Sequence, residues 1–576
     1  MAGTEFVDTD VLVVGGGLAG CWAALRASQL GADVILADKG RVARSGDAVF
    51  CHDILAPCPE SERSVMLDEI VKHAEYMCDQ SFAQVLFEEE GDRIRDLVSW
   101  GVPFERDEKG QLSLCPGRGH ITSRVVLCDC RKLMEVMRKQ LLKHQVKLAE
   151  RIMVTDLLTS DGEHPTIGRV IGAVGLHIRT GQFKVFRAKA VVVSTGVVGF
   201  KLHSQYADNL TGDGQAMALR AGAEMAGLEF GFSPRFLGIH NGRLFTQSLM
   251  PFQTLGAHFK NARGERFMAR YIPEGMERRS SCGLLALATT KEFFEGRGPV
   301  FMDLTHFGPE EHAKFRRILP LRMAPFDEVG IDVTKQPVEV KSLPTFLSGG
   351  GVRIDTEGQS SLPGLLAGGI ASHAGAGEWV SGAMLGICNV FGYRAGEQAY
   401  KISRDTDHLH PDKGQLKRLE REVCSPLGRS QGVDPRSVYH FLVGKILRPE
   451  YSIVKSEATI KEVLEDVRRI SSEDLPRLMT KDIHRLVNAN ELRNFVHHVG
   501  AVFASSLGRK ESRLTHYRQD YPYRDDANWL KWVVVKKVDD ELKVEFPSVF
   551  KEGDRVKPAE FKKRPAAVQF SSDRPR

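Results

Sequence analysis

A glycine-rich turn near the N-terminus constrains the fold of this chain more than any other segment. Residues 10–14 are apolar after Asp10 and predict a buried strand, and Gly15, Gly17 and Gly20 follow with the G-x-G-x-x-G spacing. In that spacing the first glycine makes a tight turn, the second lets the backbone approach a pyrophosphate, and the third lets the next helix pack closely. That helix, predicted over residues 21–30, offers free N–H groups to phosphates at its N-terminus.

The segment after this helix completes a strand–helix–strand unit. Residues 33–37 predict a second strand, and Asp38 ends it. In dinucleotide-binding folds, an acidic residue at this distance from the glycine turn accepts a hydrogen bond from a ribose hydroxyl. The sequence therefore predicts a Rossmann-like domain with a dinucleotide bound at the glycine turn and at Asp38.

The size and the charge of the chain exclude several classes of protein. With 576 residues the chain is too long for one core, so roughly two to four domains are expected. A net charge of +5 is small for this length and gives no indication of nucleic-acid binding. The chain has no apolar run of about 18 residues and no leader-like start. We therefore expect a cytoplasmic protein that contacts a membrane only through partners.

The ten cysteines are scattered along the chain. Cys128 and Cys130 form the only close pair, and no C-x-x-C spacing or ferredoxin-type run occurs. We therefore expect no metal ion and no iron–sulfur cluster in this chain.

Two later turns extend the nucleotide-binding pattern. Residues 146–158, 168–180 and 183–186 predict the strands of a β-ribbon, and residues 190–193 predict a buried strand after it. Ser194-Thr195-Gly196 ends this last strand, and Gly212-Asp213-Gly214 begins a predicted helix. A strand over residues 365–367 and a helix over residues 383–401 then return to the α/β pattern. A chain that leaves its nucleotide sheet, forms an antiparallel ribbon and returns is typical of a two-pass flavin-binding domain.

Changes in these patterns divide the chain into five segments of a mixed α/β protein. The predicted segments are a nucleotide-binding domain in two parts, residues 1–232 and 351–404, an inserted cap over residues 233–350, a helical domain over residues 405–535, and a tail over residues 536–576. The end of the tail is rich in Lys, Arg and Pro, so it is expected either to be disordered or to wrap a partner.

Several motifs carry a specific family resemblance across about residues 8–530. Besides the glycine turn they are Arg44-Ser45-Gly46, Ser194-Thr195-Gly196, Thr211-Gly212-Asp213-Gly214, Ala262-Arg263-Gly264-Glu265-Arg266, Phe391-Gly392-Tyr393-Arg394, Lys510-Glu511-Ser512-Arg513 and His516-Tyr517-Arg518-Gln519-Asp520. With them the chain resembles the flavoprotein subunits of succinate dehydrogenase and fumarate reductase, with L-aspartate oxidase and the adenylylsulfate reductase alpha subunit.

The resemblance implies FAD as the cofactor. The residues at its FAD-binding positions are Gly15, Gly17, Leu18, Ala19, Gly20, Asp38, Lys39, Arg44, Ser45, Gly46, Thr195, Gly196, Gly212, Asp213, Gly369 and Leu385. Gly46 stands where the dehydrogenases carry the histidine that binds flavin covalently, so non-covalent FAD is expected. Ile370 replaces an acidic residue that usually contacts the ribityl chain, which leaves Asp38 and Asp213 for the hydroxyl groups.

Four positions that face the substrate in the succinate and fumarate enzymes differ in this chain. Matching of the motifs puts Ser233 and Thr345 at the two histidines, Cys282 at the proton-donating arginine and Trp379 at the carboxylate-clamping arginine. A dicarboxylate needs guanidinium groups for its charges and a matched proton donor for its reduction. We therefore expect a substrate other than succinate or fumarate.

The resemblance places the substrate between the cap and the FAD domain. The catalytic candidates there are Arg235, His240, Arg279, His373 and Glu378. Arg235 lies close to a substrate-facing position, and Glu378 lies beside Trp379 in the clamp loop as a candidate base. The alternative interpretation of each histidine is an ordinary hydrogen-bonded residue.

Three functions stay open on the sequence alone. The first is a flavoprotein subunit that passes electrons between an unknown small molecule and a separate ferredoxin-like iron–sulfur subunit. The second is a self-contained flavin oxidase or reductase, or an enzyme like the adenylylsulfate reductase alpha subunit, which has local features similar to residues 232–236. The third is an electron-relay subunit without a substrate, which the changed catalytic positions permit but the complete cap disfavours.

Overall fold

Strands and helices alternate through the first 226 residues. The computed structural model describes residues 4–201, 208–246, 248–273, 277–347 and 349–570. The strands of this first part are β1 (Glu5–Val14), β2 (Val34–Asp38), β3 (Asp53–Leu55), β4 (Leu114–Cys115), β5 (Val125–Leu127), β6 (Lys147–Glu150), β7 (Ile152–Thr159), β8 (Val170–His177), β9 (Phe183–Val193), β10 (Val198–Gly199) and β11 (Met225–Ala226). The helices are α1 (Leu18–Gln29), α2 (Arg63–His73), α3 (Gln80–Ser99), α4 (Cys130–Lys143) and α5 (Asp213–Ala221).

The central sheet has the order β6-β2-β1-β9-β8-β7. Strands β6, β2, β1 and β9 pair in parallel, whereas β9, β8 and β7 pair antiparallel. Alternate residues of β1 enter different cores: Leu12 and Val14 pack with α5, and Val11 and Val13 pack with α1 and α4. Both faces of the sheet are therefore covered, as in nucleotide-binding α/β folds.

The predicted β-ribbon differs from the structure in two ways. We expected one strand between residues 146 and 158, but Arg151, with φ of 61°, separates β6 from β7. We also expected two strands between residues 183 and 193, and these form the single strand β9. The strand β9 stays continuous because β1 pairs with it from Glu5–Lys184 to Val14–Val193.

The middle of the chain contains a second sheet. Its elements are β12 (Phe232–His240), β13 (Arg243–Leu244), α6 (Met250–Thr254), β14 (His258–Lys260), α7 (Cys282–Phe294), β15 (Val300–Asp303), α8 (Pro309–Ile318), α9 (Pro320–Glu328) and β16 (Val338–Leu347). The sheet order is β13-β12-β16-β15-β14, and β10 pairs with β16. This sheet lies in the segment that we predicted as the cap, residues 233–350, and the β10–β16 pair joins it to the first part of the chain.

The chain then returns to the central sheet. The elements β17 (Gly351–Val352), β18 (Leu365–Ala367) and α10 (Ala383–Arg404) follow, and β18 pairs in parallel with β9. Helices α11 (Lys413–Cys424), α12 (Pro435–Ile446), α13 (Pro449–Ser452), α14 (Glu457–Arg469) and α15 (Ile483–Gly508) come next. Among the described residues, no helix is long and apolar enough to cross a membrane.

The C-terminal tail packs on the rest of the chain. Its elements are β19 (Tyr523–Asp525), α16 (Asp526–Trp529), β20 (Val534–Val538), β21 (Glu541–Glu545) and β22 (Lys563–Pro565). Strand β20 pairs with β11, and β22 pairs with β19. Val568 is fully buried. The alternative of a disordered tail is therefore wrong for the described residues up to 570, because composition does not report strand pairing with distant segments.

Candidate functional site

The glycine turn has the geometry that its spacing predicts. Gly15 has φ of +105°, and a Cβ there would lie 2.5 Å from the carbonyl oxygen of Ser194. A Cβ on Gly20 would lie 1.8 Å from the carbonyl oxygen of Gly15, so only glycine lets α1 pack against the turn. A Cβ on Gly17 would meet nothing within 4 Å. The backbone at Gly17 therefore faces open space at the N-terminus of α1, where a phosphate group fits.

A cavity of about 300 Å³ begins at this turn and ends against the cap. Twelve of the predicted cofactor residues line it: Gly15, Gly17, Leu18, Ala19, Asp38, Lys39, Ser45, Gly46, Thr195, Gly196, Asp213 and Leu385. Gly46 lies across from the turn, since a Cβ on it would be 3.5 Å from the Cα of Gly17. The open backbone at Gly17 and this continuous lining fit an elongated dinucleotide.

Four predicted cofactor residues do not line the cavity. Gly20 and Gly369 act in packing, because a Cβ on Gly369 would lie 2.6 Å from the Cβ of Ala19. Gly212 precedes α5 with φ of +74°, a conformation that favours glycine. Arg44 is exposed at the surface. The three glycines therefore act through packing and backbone conformation, whereas Arg44 has no contact with the cavity.

The carboxylate of Asp38 is hydrogen-bonded to the protein backbone. Its two carboxylate oxygens accept hydrogen bonds from the N–H groups of Gly16 and Gly40, each at 2.7 Å. Burial raises the pKa of Asp38, and these two N–H groups oppose the increase. Asp38 lines the cavity as predicted, but its first role is to hold the glycine turn and the loop after β2 in place.

Lys39 joins the cavity to the helical domain. Its Nζ donates to Asp213 Oδ2 and to Glu491 Oε1, each at 2.9 Å, and Lys201 also pairs with Glu491. Asp213 Oδ1 accepts a further bond from Asn494 Nδ2 at 2.9 Å. Burial would raise the pKa of Glu491, but Lys39 and Lys201 outweigh burial and lower it to about 2. Asp213 is thus tied to α15, which limits its predicted role in binding ligand hydroxyl groups.

Only two of the five catalytic candidates, Arg235 and Glu378, line the cavity. His373 is buried behind it, where Nδ1 accepts a bond from the Ile354 N–H at 3.1 Å and burial lowers the pKa to about 4. His240 lies at the end of β12, and Arg279 lies in a short turn before α7. The cavity lining therefore does not include His373, His240 or Arg279, because position in a loop does not set the direction of a side chain.

Glu378 holds the start of the cap helix α7. Its Oε1 accepts hydrogen bonds from Arg118 Nη1 at 3.0 Å and from the N–H of Cys282, and its Oε2 accepts one from the N–H of Gly283 at 3.3 Å. A carboxylate is favoured at a helix N-terminus, where N–H groups lack partners. Because both oxygens are engaged, this geometry argues against the prediction of Glu378 as a base.

Three of the changed family positions do lie on the cavity wall. Ser233, Cys282 and Trp379 line it, and Trp379 is buried with its Nε1 donating to the Ala376 carbonyl at 3.1 Å. Thr345 lies in β16, and its side chain is outside the described part of the structure. The cavity therefore has the apolar side chain of Trp379 and the thiol of Cys282 at the two positions where the succinate and fumarate enzymes carry arginines.

Four charged residues on the cavity wall escaped our sequence-based prediction: Asp47, Asp53, Arg118 and Arg322 all line the cavity. Arg118 comes from the loop before β5, and Arg322 comes from α9 with its Nη2 donating to the Phe50 carbonyl at 3.4 Å. Arg235, from β12, donates to Ser233 Oγ at 2.6 Å. Asp47 directly follows the Arg44-Ser45-Gly46 motif, whereas Arg118 and Arg322 lie outside the motifs that carry the family resemblance.

Comparison with known sequences agrees with this geometry. The family described as "FAD binding domain" matches residues 10–384, and the one described as "Fumarate reductase flavoprotein C-term" matches residues 442–567. One relative is a subunit of the fumarate reductase (CoM/CoB) of Methanothermobacter marburgensis. The chain is 28% identical to it over 543 residues, which cover 90% of this chain and 95% of the relative.

Comparison with solved structures supports the fold. The FrdA subunit of Escherichia coli quinol fumarate reductase superposes with a TM-score of 0.83 at 22% identity, over 96% of this chain and 99% of that one. Adenylylsulfate reductase from Archaeoglobus fulgidus superposes with a TM-score of 0.78 at 22% identity, over 95% and 97%. The chain thus belongs to the family of FAD-dependent oxidoreductases that contains the flavoprotein subunits of fumarate reductase and succinate dehydrogenase.

Proposed function

We propose that this chain is a flavoprotein subunit that holds FAD non-covalently and passes electrons between a small anionic substrate and a separate iron–sulfur protein. The observation that carries the proposal is the cavity itself, which joins the glycine turn to Arg118, Arg235 and Arg322. Guanidinium groups in the lining of a cavity favour an anion, and one of these three, Arg118, is paired with Glu378. Because they occupy other positions than the family's clamp, we propose a substrate other than succinate or fumarate.

The residues that line the cavity fit FAD. The turn at Gly15–Gly20 would receive the pyrophosphate, and Gly46 and Leu385 line the same cavity. FAD, when bound, supplies the hydride or electron-pair chemistry. Gly46 has no side-chain nucleophile for a bond to the flavin, which supports non-covalent binding.

The residues of this chain have distinct tasks around the substrate. Arg235 and Arg322 extend from the cap and would orient an anion against the FAD domain. Arg118, bound to Glu378, holds the first turn of α7 over the cavity. The buried indole of Trp379 excludes water from one wall, which strengthens the electrostatic attraction of the arginines.

Two observations favour a separate iron–sulfur partner. The M. marburgensis relative is named as one subunit of a larger enzyme. The sequence has no C-x-x-C spacing, and among the described residues no three His, Cys, Asp or Glu side chains group as metal ligands. We also propose a cytoplasmic location, as expected from the sequence.

The test is to purify the chain with its natural partners and precipitate it with acid. We expect the flavin to stay in the supernatant and iron to co-purify with a second protein. Flavin that remains in the pellet would overturn the non-covalent proposal. Rapid reoxidation of the isolated, iron-free chain by air would instead support a self-contained oxidase. A flavin absorbance spectrum that no anion changes would support an electron-relay subunit.

A further inference from the structure

Asp47 is a carboxylic acid on the cavity wall whose side chain accepts no hydrogen bond from the described residues. It begins a short 3-10 turn, Asp47–Phe50, directly after Gly46. Its Oδ1 is buried, and within the described part of the chain neither carboxylate oxygen has a hydrogen-bond donor. Buried polar atoms in native proteins are nearly always bonded, so an unpartnered carboxylate oxygen on a cavity wall is a candidate for a functional role. Asp38 and Glu378, two other acids of the cavity wall, are both satisfied by N–H groups.

The groups around Asp47 come from four elements. Arg235 of β12 and Arg322 of α9 attract its carboxylate, and the thiols of Cys51 and of Cys388 in α10 lie near it. His52 lines the same cavity, and burial lowers its pKa. The charged groups that face Asp47 are therefore guanidinium groups, which themselves would hold an anionic substrate.

We propose that Asp47 is the acid–base residue that gives a proton to the substrate on reduction and takes one from it on oxidation. This rests on the proposed function, an anionic substrate held at Arg235 and Arg322. On reduction the substrate gains a hydride and a proton. The proton leaves the Asp47 carboxyl, which becomes a carboxylate, and reduced FAD, when bound, would supply the hydride with its electron pair. Oxidation reverses each of these changes.

The electrostatic environment suits this role. Burial raises the pKa of Asp47 to about 6, although Arg235 and Arg322 oppose the increase. An acid–base group works best when its pKa lies near the working pH, because both protonation states are then accessible. An anion beside Asp47 repels its carboxylate and would raise this pKa further, so binding of an anion should draw a proton from solution.

The test measures proton uptake on anion binding by the FAD-loaded protein. Calorimetric titrations with sulfate or oxalate, in two buffers of different ionisation enthalpy, give the number of protons taken up. We expect uptake of most of one proton at about pH 7, and an affinity that weakens roughly tenfold or more between about pH 5.5 and 7.5. Asp47→Asn should take up none and bind with a nearly constant affinity at both pH values.

A matched variant separates Asp47 from the neighbouring titratable group. His52→Gln should keep the proton uptake and the pH dependence. If Asp47→Asn takes up as many protons as the unchanged protein, or if the unchanged protein takes up none, the role of Asp47 is overturned while the anion site stands. If neither sulfate nor oxalate binds, the anionic substrate itself is overturned. FAD content, measured in every sample, shows that each variant is loaded.

Discussion

Arg118 donates a hydrogen bond from Nη1 to Oε1 of Glu378 at 3.0 Å, and the Glu378 carboxylate also accepts hydrogen bonds from the N–H groups in the first turn of the cap helix α7. The Arg118 side chain is 14% exposed and that of Glu378 is 7% exposed. The pair lies on the wall of the cavity, between the FAD domain and the cap. The position of the cap over the site thus depends on a buried ion pair.

Removal of one partner of this pair should destabilise the protein strongly. Arg118→Ala leaves the Glu378 carboxylate buried without its cation, which typically costs about 3–5 kcal/mol of unfolding free energy. The control is Arg95→Ala, since Arg95 pairs with Asp92 at the surface with side chains 74% and 49% exposed. That change should cost less than about 1 kcal/mol. Urea unfolding checks both, and equal losses would contradict the structural role of the buried pair.

Substitution of two glycines of the turn by alanine should have different effects, one on stability and the other on FAD affinity. Gly20→Ala forces a Cβ to 1.8 Å from the Gly15 carbonyl oxygen, so the unfolding free energy should fall by about 1–3 kcal/mol. Gly17→Ala places a methyl group in open space, so stability should hold while FAD affinity falls roughly tenfold or more. Thermal unfolding and equilibrium FAD binding separate the two effects. A stable Gly20→Ala protein would contradict the close packing of α1.

Glu491 should make stability depend on acid pH. Its pKa falls from 4.5 in the unfolded chain to about 2 in the fold, so its contribution is complete above about pH 4.5 and is lost as the pH falls toward 2. The shift corresponds to about 3 kcal/mol. Glu491→Gln should therefore flatten the fall in melting temperature between about pH 5 and 3. The exposed Glu465→Gln variant should keep that fall, and an unchanged Glu491→Gln profile would contradict the assignment.

The tail should contribute to stability through Val568. This side chain is fully buried, whereas Val65 is 53% exposed. Val568→Ala should lower the unfolding free energy by about 1–2 kcal/mol, and Val65→Ala should change it by less than about 0.5 kcal/mol. Chemical unfolding of the two variants provides the measurement. A Val568→Ala protein as stable as the unchanged one would mean that the tail does not pack as described.

Local pattern was enough to predict the nucleotide-binding turn. The spacing of Gly15, Gly17 and Gly20 depends on backbone geometry within a few residues, so the sequence predicted it correctly. The same holds for the strand over residues 365–367 and its return to the central sheet. Strand β9 was divided wrongly because its continuity depends on pairing with β1, which lies far away in sequence.

Which side chains line the cavity depends on contacts between segments that are distant in sequence, so local pattern could not predict them. His373 was placed in a substrate loop, but its side chain packs against Phe82 and Trp532 behind the cavity. Arg322 reaches the same wall from α9, which no motif connects to the FAD domain. Sequence pattern gives the identity of a residue and its position along an element, whereas the direction of its side chain follows from packing.

The most direct test of the central claim is the response of the bound flavin to an anion. FAD-loaded protein is titrated with sulfate while the visible absorbance of the flavin is recorded. We predict a saturable change in absorbance that is lost in Arg322→Gln, because the anion site and the flavin share one cavity. An absorbance that sulfate leaves unchanged at every concentration, or an equal change in Arg322→Gln, would contradict this claim.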